Sequence, residues 1–447
     1  MGNLFYNALR VWKIIFLFLA MPSSEAILHF IWKYKLFNLL GLYTTDGQAI
    51  QILQSGIHNL DSGPDFFNGK IKIGETLWAG NIEIHLKSSD WLKHKHQTDK
   101  AYDNVILHVV WEHDAPIYRT DETLLPVLEL KNAVPVAILE NYDRLIANNY
   151  WIPCEAQLPF VDDFTKSQCL DRMLTERLED KSLAIKQIYQ TTNSSWEDTF
   201  YIVLARSFGF KVNALPFELL AKNLPQLTLA KHKNSVLQVE ALIFGVAGFL
   251  DFNFDDEYPK ALKKEFQFLR AKYQLSVLDV SLWKFSKTRP DNFPTIRMAQ
   301  FAALVLKSEH LFSKIISILN KKDFGTLFTK LPSNIYWGTH FRFDKIAERK
   351  SVNLGIESIN NLLINAIAPL LFFYGKETGT KKFVDLALDL LLEIKPEANQ
   401  IIRGFKQRRL NAINAFDTQA LIHLKKSYCD LKKCLNCGIG LKIIKQQ

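Results

Sequence analysis

Pro64-Asp65 stands at the start of one predicted strand, and Glu83-Ile84-His85 lies on the next. Along a strand, positions i, i+2 and i+4 point one way. Glu83, His85 and Lys87 are therefore expected on one face, with Ile82, Ile84 and Leu86 on the other, toward the core. Two facing carboxylates, Asp65 and Glu83, suit a hard divalent cation such as Mg²⁺ or Mn²⁺. Such an ion activates water and offsets charge on a phosphoryl group. His85 or Lys87 would assist as a base or as a positive partner. The plainer alternative is an exposed Glu–Lys pair beside a Pro-Asp turn.

Histidines crowd the same stretch. Six of the eleven lie between positions 58 and 113: His58, His85, His94, His96, His108 and His113. His94 and His96 cannot share a helical face, but both can reach a metal from a loop or strand. Imidazole with carboxylate suits Zn, Mn or Fe. His108 sits in the apolar run VILHVVW, where a satisfied core histidine is the simpler reading.

These residues need elements to hold them. Residues 24–37 space Ile27, Phe30, Ile31, Tyr34 and Phe37 as one helical face. Strands are expected at 49–53, 66–73, 77–86, 105–111 and 124–130, with a polar loop at 56–64 and a short helical or irregular piece near 89–91. From about residue 160 apolar spacing becomes helical, in segments from 164–192 through 417–428. The fold class expected is α+β, a mixed α/β domain at 21–150 and an all-helical domain at 160–428. A Cys-rich basic tail at 429–447 closes the chain.

Composition bounds the rest. The chain has 447 residues, 48% hydrophobic and 23% charged, which is ordinary for two or three globular domains. Most of the net charge of +9 sits after Ile401, where ten Lys/Arg face two acids. Such a segment either attracts nucleic-acid phosphates or is a solvated basic face. Residues 1–20 read as a weak signal-like segment or as an extension before a start at Met21. Their apolar core is too short to span a bilayer, so no stable membrane insertion is expected.

Three of the five cysteines, Cys429, Cys434 and Cys437, crowd the C-terminus. With Cys154, Cys169 or His423 as a fourth ligand they could hold Zn or an iron–sulfur cluster. Cys154 would staple the tail to the first domain. The odd count argues against a disulfide framework and for a reducing, cytoplasmic setting. Trp283–Arg297 breaks the helical region with two prolines. Arg289 and Arg297 beside a helix starting at Pro294 are a candidate phosphate site, or simply a structured loop.

The Pro64-Asp65 and Glu83-x-His85 pair resembles the PD-(D/E)xK nuclease superfamily, with His85 where that pattern carries Lys. The resemblance implies a restriction-endonuclease-like core (α-β-β-β-α-β) over 24–112. It also implies a role for Glu25 as a first-helix acid, and phosphodiester hydrolysis on nucleic acid. The long run Gly63–Asp114, with Arg289–Pro294, Asn365–Pro369 and the final cysteines, is similar to a bacterial family known as domain of unknown function 2851. That similarity implies relatedness from Met21 onward and no activity. Three functions stand open. They are a metal-dependent phosphodiesterase, a non-catalytic nucleic-acid-binding or scaffold protein with a structural Cys-bound metal, and a His-rich Zn or Fe hydrolase of small substrates.

Overall fold

The computed structural model describes residues 22–286, 288–308, 310–318, 321–348 and 352–446. The expected extension at 1–20 lies outside them. The fold is α+β, with a sheet in the N-terminal part and helices after it. The chain divides into two units. The first takes the residues up to Asp171, Gly404–Leu410 and the segment from Leu424 on. The second takes Arg172–Arg403 and Asn411–His423.

The first unit opens with α1 (Glu25–Lys33), which buries Ile27, Leu28, Phe30, Ile31 and Trp32. It stops short of the predicted residue 37, where Lys35 takes a left-handed φ of 50°. Seven strands follow: β1 (Leu42–Tyr43), β2 (Ala49–Gln54), β3 (Ile57–His58), β4 (Phe66–Ile73), β5 (Thr76–Lys87), β6 (Val105–Glu112) and β7 (Val127–Glu129). The sheet order is β1-β2-β4-β5-β6-β7, with β3 also paired to β4. β1 to β5 pair antiparallel, whereas β6 runs parallel to β5 and β7 parallel to β6. The antiparallel half follows from tight turns such as Gly74-Glu75. The parallel half needs the crossover that carries α2 (Asp90–Lys93).

That crossover changes the burial expected of β5. Residues Ile82 to His85 are all buried, so neither face of this stretch meets water, although the strand's first four residues are exposed. Parallel strands covered on both faces behave this way. The plainer alternative of an exposed Glu–Lys pair would need an open face, whereas Glu83 and His85 are buried.

Two further elements were not foreseen. α3 (Val136–Ala147) buries Ile138, Leu139, Tyr142 and Leu145. The tail is not a loose end, because it forms a closing helix, Gly438–Ile444. Asn141 on α3 donates to the carbonyls of Ile443 (3.3 Å) and Gln446 (2.8 Å), capping that helix's exposed C-terminal acceptors. Five basic residues of the tail region have internal partners. Arg408 pairs with Glu155 at 2.6 Å, Lys425 with Asp430, and Lys442 with Asp162 at 3.2 Å. Lys432 donates to the Ile146 carbonyl at 2.6 Å, and Lys445 sits over the Tyr34 ring. Arg403, Lys406, Arg409, Lys426 and Lys433 are exposed.

The second unit is helical, with a small hairpin, His340–Arg342 and Lys345–Ile346. α4 (Asp163–Thr191) leads into it. The predicted 356–374 helix runs Ile356–Glu377 and contains a π-helical turn at Leu363–Ile367. Among the described residues this one helix is long and apolar enough to cross a membrane, and 67% of its apolar window is buried inside the protein.

Candidate metal centre

Asp65 is presented by a tied loop. Asn59 donates from Nδ2 to the carbonyls of Asp61, Ser62 and Pro64, each at 3.1 Å. Its backbone N–H donates to Asp65 O at 2.7 Å. Gly63 takes φ +101°, which a side chain would strain. The β4–β5 register pairs Phe66 with Ile82, which brings Asp65 beside Glu83. The Asp65 N–H donates to Glu83 Oε2 (3.1 Å), and Asp65 Oδ2 accepts from the Ile84 N–H (2.9 Å). The two carboxylates thus fix one another through the backbone.

The other Glu83 oxygen faces imidazoles. Glu83 Oε1 lies 3.5 Å from His85 Nε2 and 3.3 Å from His96 Nε2. His85 Nε2 is also 3.1 Å from His94 Nδ1. His85, His94 and His96 each offer a nitrogen, all within 4.8 Å of one another. On the far side of the ring, His85 Nδ1 meets His108 Nε2 at 2.8 Å. His108 is fully buried, so the core histidine of the sequence reading is also the partner that orients His85. Trp91 and Tyr102 wall the cluster, Tyr102 stacking on His96 at 3.7 Å between centroids.

Helix α1 contributes a further histidine. His29 Nε2 lies 3.2 Å from Asp65 Oδ2, and its ring meets His58 edge-on. Its only sequence signal was a polar residue beside the apolar stripe of α1. Glu25, on the same helix, senses the charges of His94, His29 and Asp65.

Burial sets the protonation. It holds His85 down at about 3, with the charges of His94 and His96 adding to the effect, so the ring is a neutral donor at physiological pH. Burial drives His108 well below the usual histidine value. Burial raises the Glu83 carboxyl, and the Asp65 charge adds to this, while the His96 hydrogen bond opposes it. Burial opposes charge on His29, but the Asp65 hydrogen bond and charge outweigh it and raise its pKa.

Of the sequence-predicted residues, Asp65, Glu83, His85, His94 and His96 come together. Lys87 does not join them by any ion pair or side-chain hydrogen bond among the described residues. It closes the strand opposite Glu112, and its N–H donates to Asp90. Arg289 and Arg297, the candidate phosphate ligands, are placed differently from one another. Arg289 is exposed. Arg297 is 3% exposed, its guanidinium held by Gln300 (2.9 Å), Ser358 (2.8 Å) and Asn292 and laid over Phe210. Pro294 does open a helix, as expected.

The cysteines converge within the first unit. Cys169 Sγ and Cys437 Sγ are 3.9 Å apart, and Cys154, Cys429, Cys434 and Cys437 lie within electrostatic range of one another. Burial pushes the Cys434 thiol up to about 12 and raises Cys154 and Cys429 further. Among the described residues, no three of these sulfurs lie as close together as the three imidazoles do.

Fold and site together define an α+β protein with a buried histidine–carboxylate cluster on its sheet. The chain belongs to the family described as "Protein of unknown function (DUF2851)", whose model matches residues 25–400. No curated protein and no solved structure matches it.

Proposed function

We propose that this protein is a metal-dependent phosphodiesterase acting on nucleic acid, with its ion held by Glu83, His85, His94 and His96 and with Asp65 beside them. The observation that carries this reading is the run of contacts from His94 through His85 and Glu83 to His96, at 3.1, 3.5 and 3.3 Å. Ligands about 2.1 Å from one ion stand roughly 3.0 Å apart at neighbouring octahedral positions and roughly 3.4 Å apart in a tetrahedron. The three imidazole nitrogens lie within 4.8 Å of one another and Glu83 Oε1 lies near two of them, so the side chains would close inward around an ion. Three nitrogens against one or two carboxylates favour Mn, Fe or Zn over Mg. When bound, the ion would supply an activated water and charge neutralisation at phosphorus.

The chain's own residues do the rest. His108 orients His85, and the Asp65 N–H orients Glu83. His94 is the exposed member and marks the mouth. Asp65 and His29 form a pair at the rim that can hold a proton near an attacking water. The nuclease assignment draws support from element order. A helix bearing Glu25 precedes an antiparallel pair bearing Asp65 and Glu83-x-His85, and a parallel strand follows. That order supports a kinship with the PD-(D/E)xK pattern, in which His85 would serve as a ligand in place of the lysine. The exposed basic residues Lys406, Arg409, Lys426 and Lys433 suit a phosphate backbone.

A second reading is a non-catalytic nucleic-acid-binding or scaffold protein. The burial of Glu83, His85 and His96 favours it, because four protein ligands would close a zinc site. We further propose that Cys154, Cys429, Cys434 and Cys437 hold a structural cofactor. Their wider spacing suits an iron–sulfur cluster better than a single zinc ion.

Metal analysis of protein purified without oxygen reads both centres, and a phosphodiesterase assay on DNA and RNA with Mn²⁺, Fe²⁺, Zn²⁺ and Mg²⁺ reads the chemistry. Loss of about one equivalent of metal in Glu83→Gln, and a rate at least 100-fold lower in Glu83→Gln and Asp65→Asn, are expected. Absence of cleavage with every metal, or cleavage that survives both substitutions, sinks the catalytic reading.

A further inference from the structure

The second unit contains an open cleft of about 840 Å³, a size that holds a nucleotide or a comparable metabolite. Its wall is basic. Arg177, Lys181, Arg206, Lys211 and Lys222 line it against two acids, Asp180 and Glu218. Glu218 is already shared, with Arg206 on one oxygen and Lys222 on the other at 2.6 Å. Asp180 is exposed and lies 3.8 Å from His423 Nδ1. The floor is left to Arg177 and Lys181, one turn apart on α4.

Both floor cations point at one neutral oxygen. Gln419 Oε1 accepts from Arg177 Nε at 2.6 Å and from Lys181 Nζ at 3.2 Å. Gln419 is 3% exposed, and its amide nitrogen donates to Glu397 Oε2. That carboxylate fixes the amide so that its oxygen faces the cations. Lys181 also donates to Asn365 Oδ1 at 3.0 Å and to the Ile364 carbonyl at 3.4 Å. Asn365 is held in turn by its own Nδ2, which donates to the Asn361 carbonyl. It sits in the π-helical turn, a local irregularity that recurs at functional sites. The Asn365–Pro369 segment was part of the sequence signature and has no part in the metal centre.

Like charges on adjacent turns repel, and the acceptors between them are neutral amides. Burial, then the charge of Arg177, brings the Lys181 pKa down to about 7. Among the described residues, Arg177 makes its one hydrogen bond through Nε, so its two Nη nitrogens remain for a ligand. That free edge is the fork that takes a phosphate in two parallel bonds. Glu397 is the carboxylate whose charge both feel, with Asp180 adding to it at Arg177, and among the described residues neither acid is hydrogen-bonded to the pair. A pre-positioned pair of cations bonded only to neutral acceptors in a cleft of this size is a recognition device for an anion.

We propose that this cleft binds a small phosphate-bearing molecule, its phosphate on the free edge of Arg177 with Lys181 supplying charge behind it and Asn365 and Gln419 fixing both side chains. The proposal is independent of the metal centre and of phosphodiester cleavage. The probes are inorganic phosphate and pyrophosphate, titrated into the full-length protein at constant ionic strength. Saturable binding by calorimetry and a raised melting temperature are expected, with affinity at least tenfold weaker in Arg177→Gln and in Lys181→Met. Lys181→Met removes a charge and keeps the packed stem, so it should fold. Circular dichroism checks this, and Arg289→Gln serves as the unchanged control. On the unmodified protein, pyrophosphate should shield Arg177 from phenylglyoxal, read by peptide mass spectrometry. Failure of both probes to bind, binding undiminished in both variants, or Arg177 modified at the same rate with and without pyrophosphate overturns the proposal.

Discussion

Glu240 shows what a single buried acid does to this protein. It is 1% exposed, and it accepts hydrogen bonds from Tyr258 Oη (2.8 Å) and Asn334 Nδ2 (3.2 Å). Burial outweighs both and raises its pKa from 4.5 to about 7. A folded-state pKa above the unfolded one means the native state holds the proton longer. Stability is therefore full below about 4.5 and falls as pH rises toward 7. The loss across that window is on the order of 3 kcal/mol. Glu240→Gln should flatten it, read as urea midpoints at pH 5 and pH 8. A variant whose midpoint falls as steeply as the parent's would remove Glu240 as the cause. Nothing in the sequence marks this residue, because an acid in VLQVEALIFGV reads as a helix-surface position. His29 escaped notice for the same reason. Side-chain type was legible, but the partner across space was not. Asp65, Glu83 and His85 were legible because strand alternation and a turn brought them together locally.

At the scale of elements, apolar periodicity marks the regular segments closely. β4 spans Phe66–Ile73, α5 (Trp196–Phe208) and the helix Glu257–Tyr273 also stand where the apolar spacing put them. The π-helical turn was invisible, since one extra residue per turn leaves the apolar pattern almost intact. The loop before β4 read as polar and irregular, yet its Asn59 network is what aims Asp65. Asn59→Ala would remove three hydrogen bonds, two of them exposed to water, and should cost about 0.5–1.5 kcal/mol. The same change should loosen the Asp65–Glu83 contact and lower metal content at the histidine centre. Thermal unfolding and metal analysis of this variant test that claim together. Unchanged values in both would make the loop mere decoration.

For the whole molecule, the division into two units makes a calorimetric prediction. Metal that binds only the folded first unit stabilises that unit, by about 4 kcal/mol at a thousandfold excess over Kd. Stripping metal with a chelator should lower one unfolding transition and leave the other in place. Glu240→Gln, which lies in the second unit, should move the other transition instead. One transition that shifts as a whole in both experiments would argue against separate units. The sequence placed the boundary near residue 160 from the change in periodicity. It could not show that the chain returns to the first unit at its end, since that depends on contacts across hundreds of residues.

That return has a consequence for how the protein is made. Asn141 caps a helix whose carbonyls lie 302 positions further on. At about 5–20 residues per second, α3 emerges from the ribosome roughly 15–60 s before its partner exists. During that interval Cys154 and Cys169 lack the thiols they later meet, and the part of α3 that packs on the closing helix stays uncovered. The first unit to be translated is thus the last to be finished. Its nascent thiols are exposed to oxidation and its uncovered helix to chaperones until the closing segment arrives.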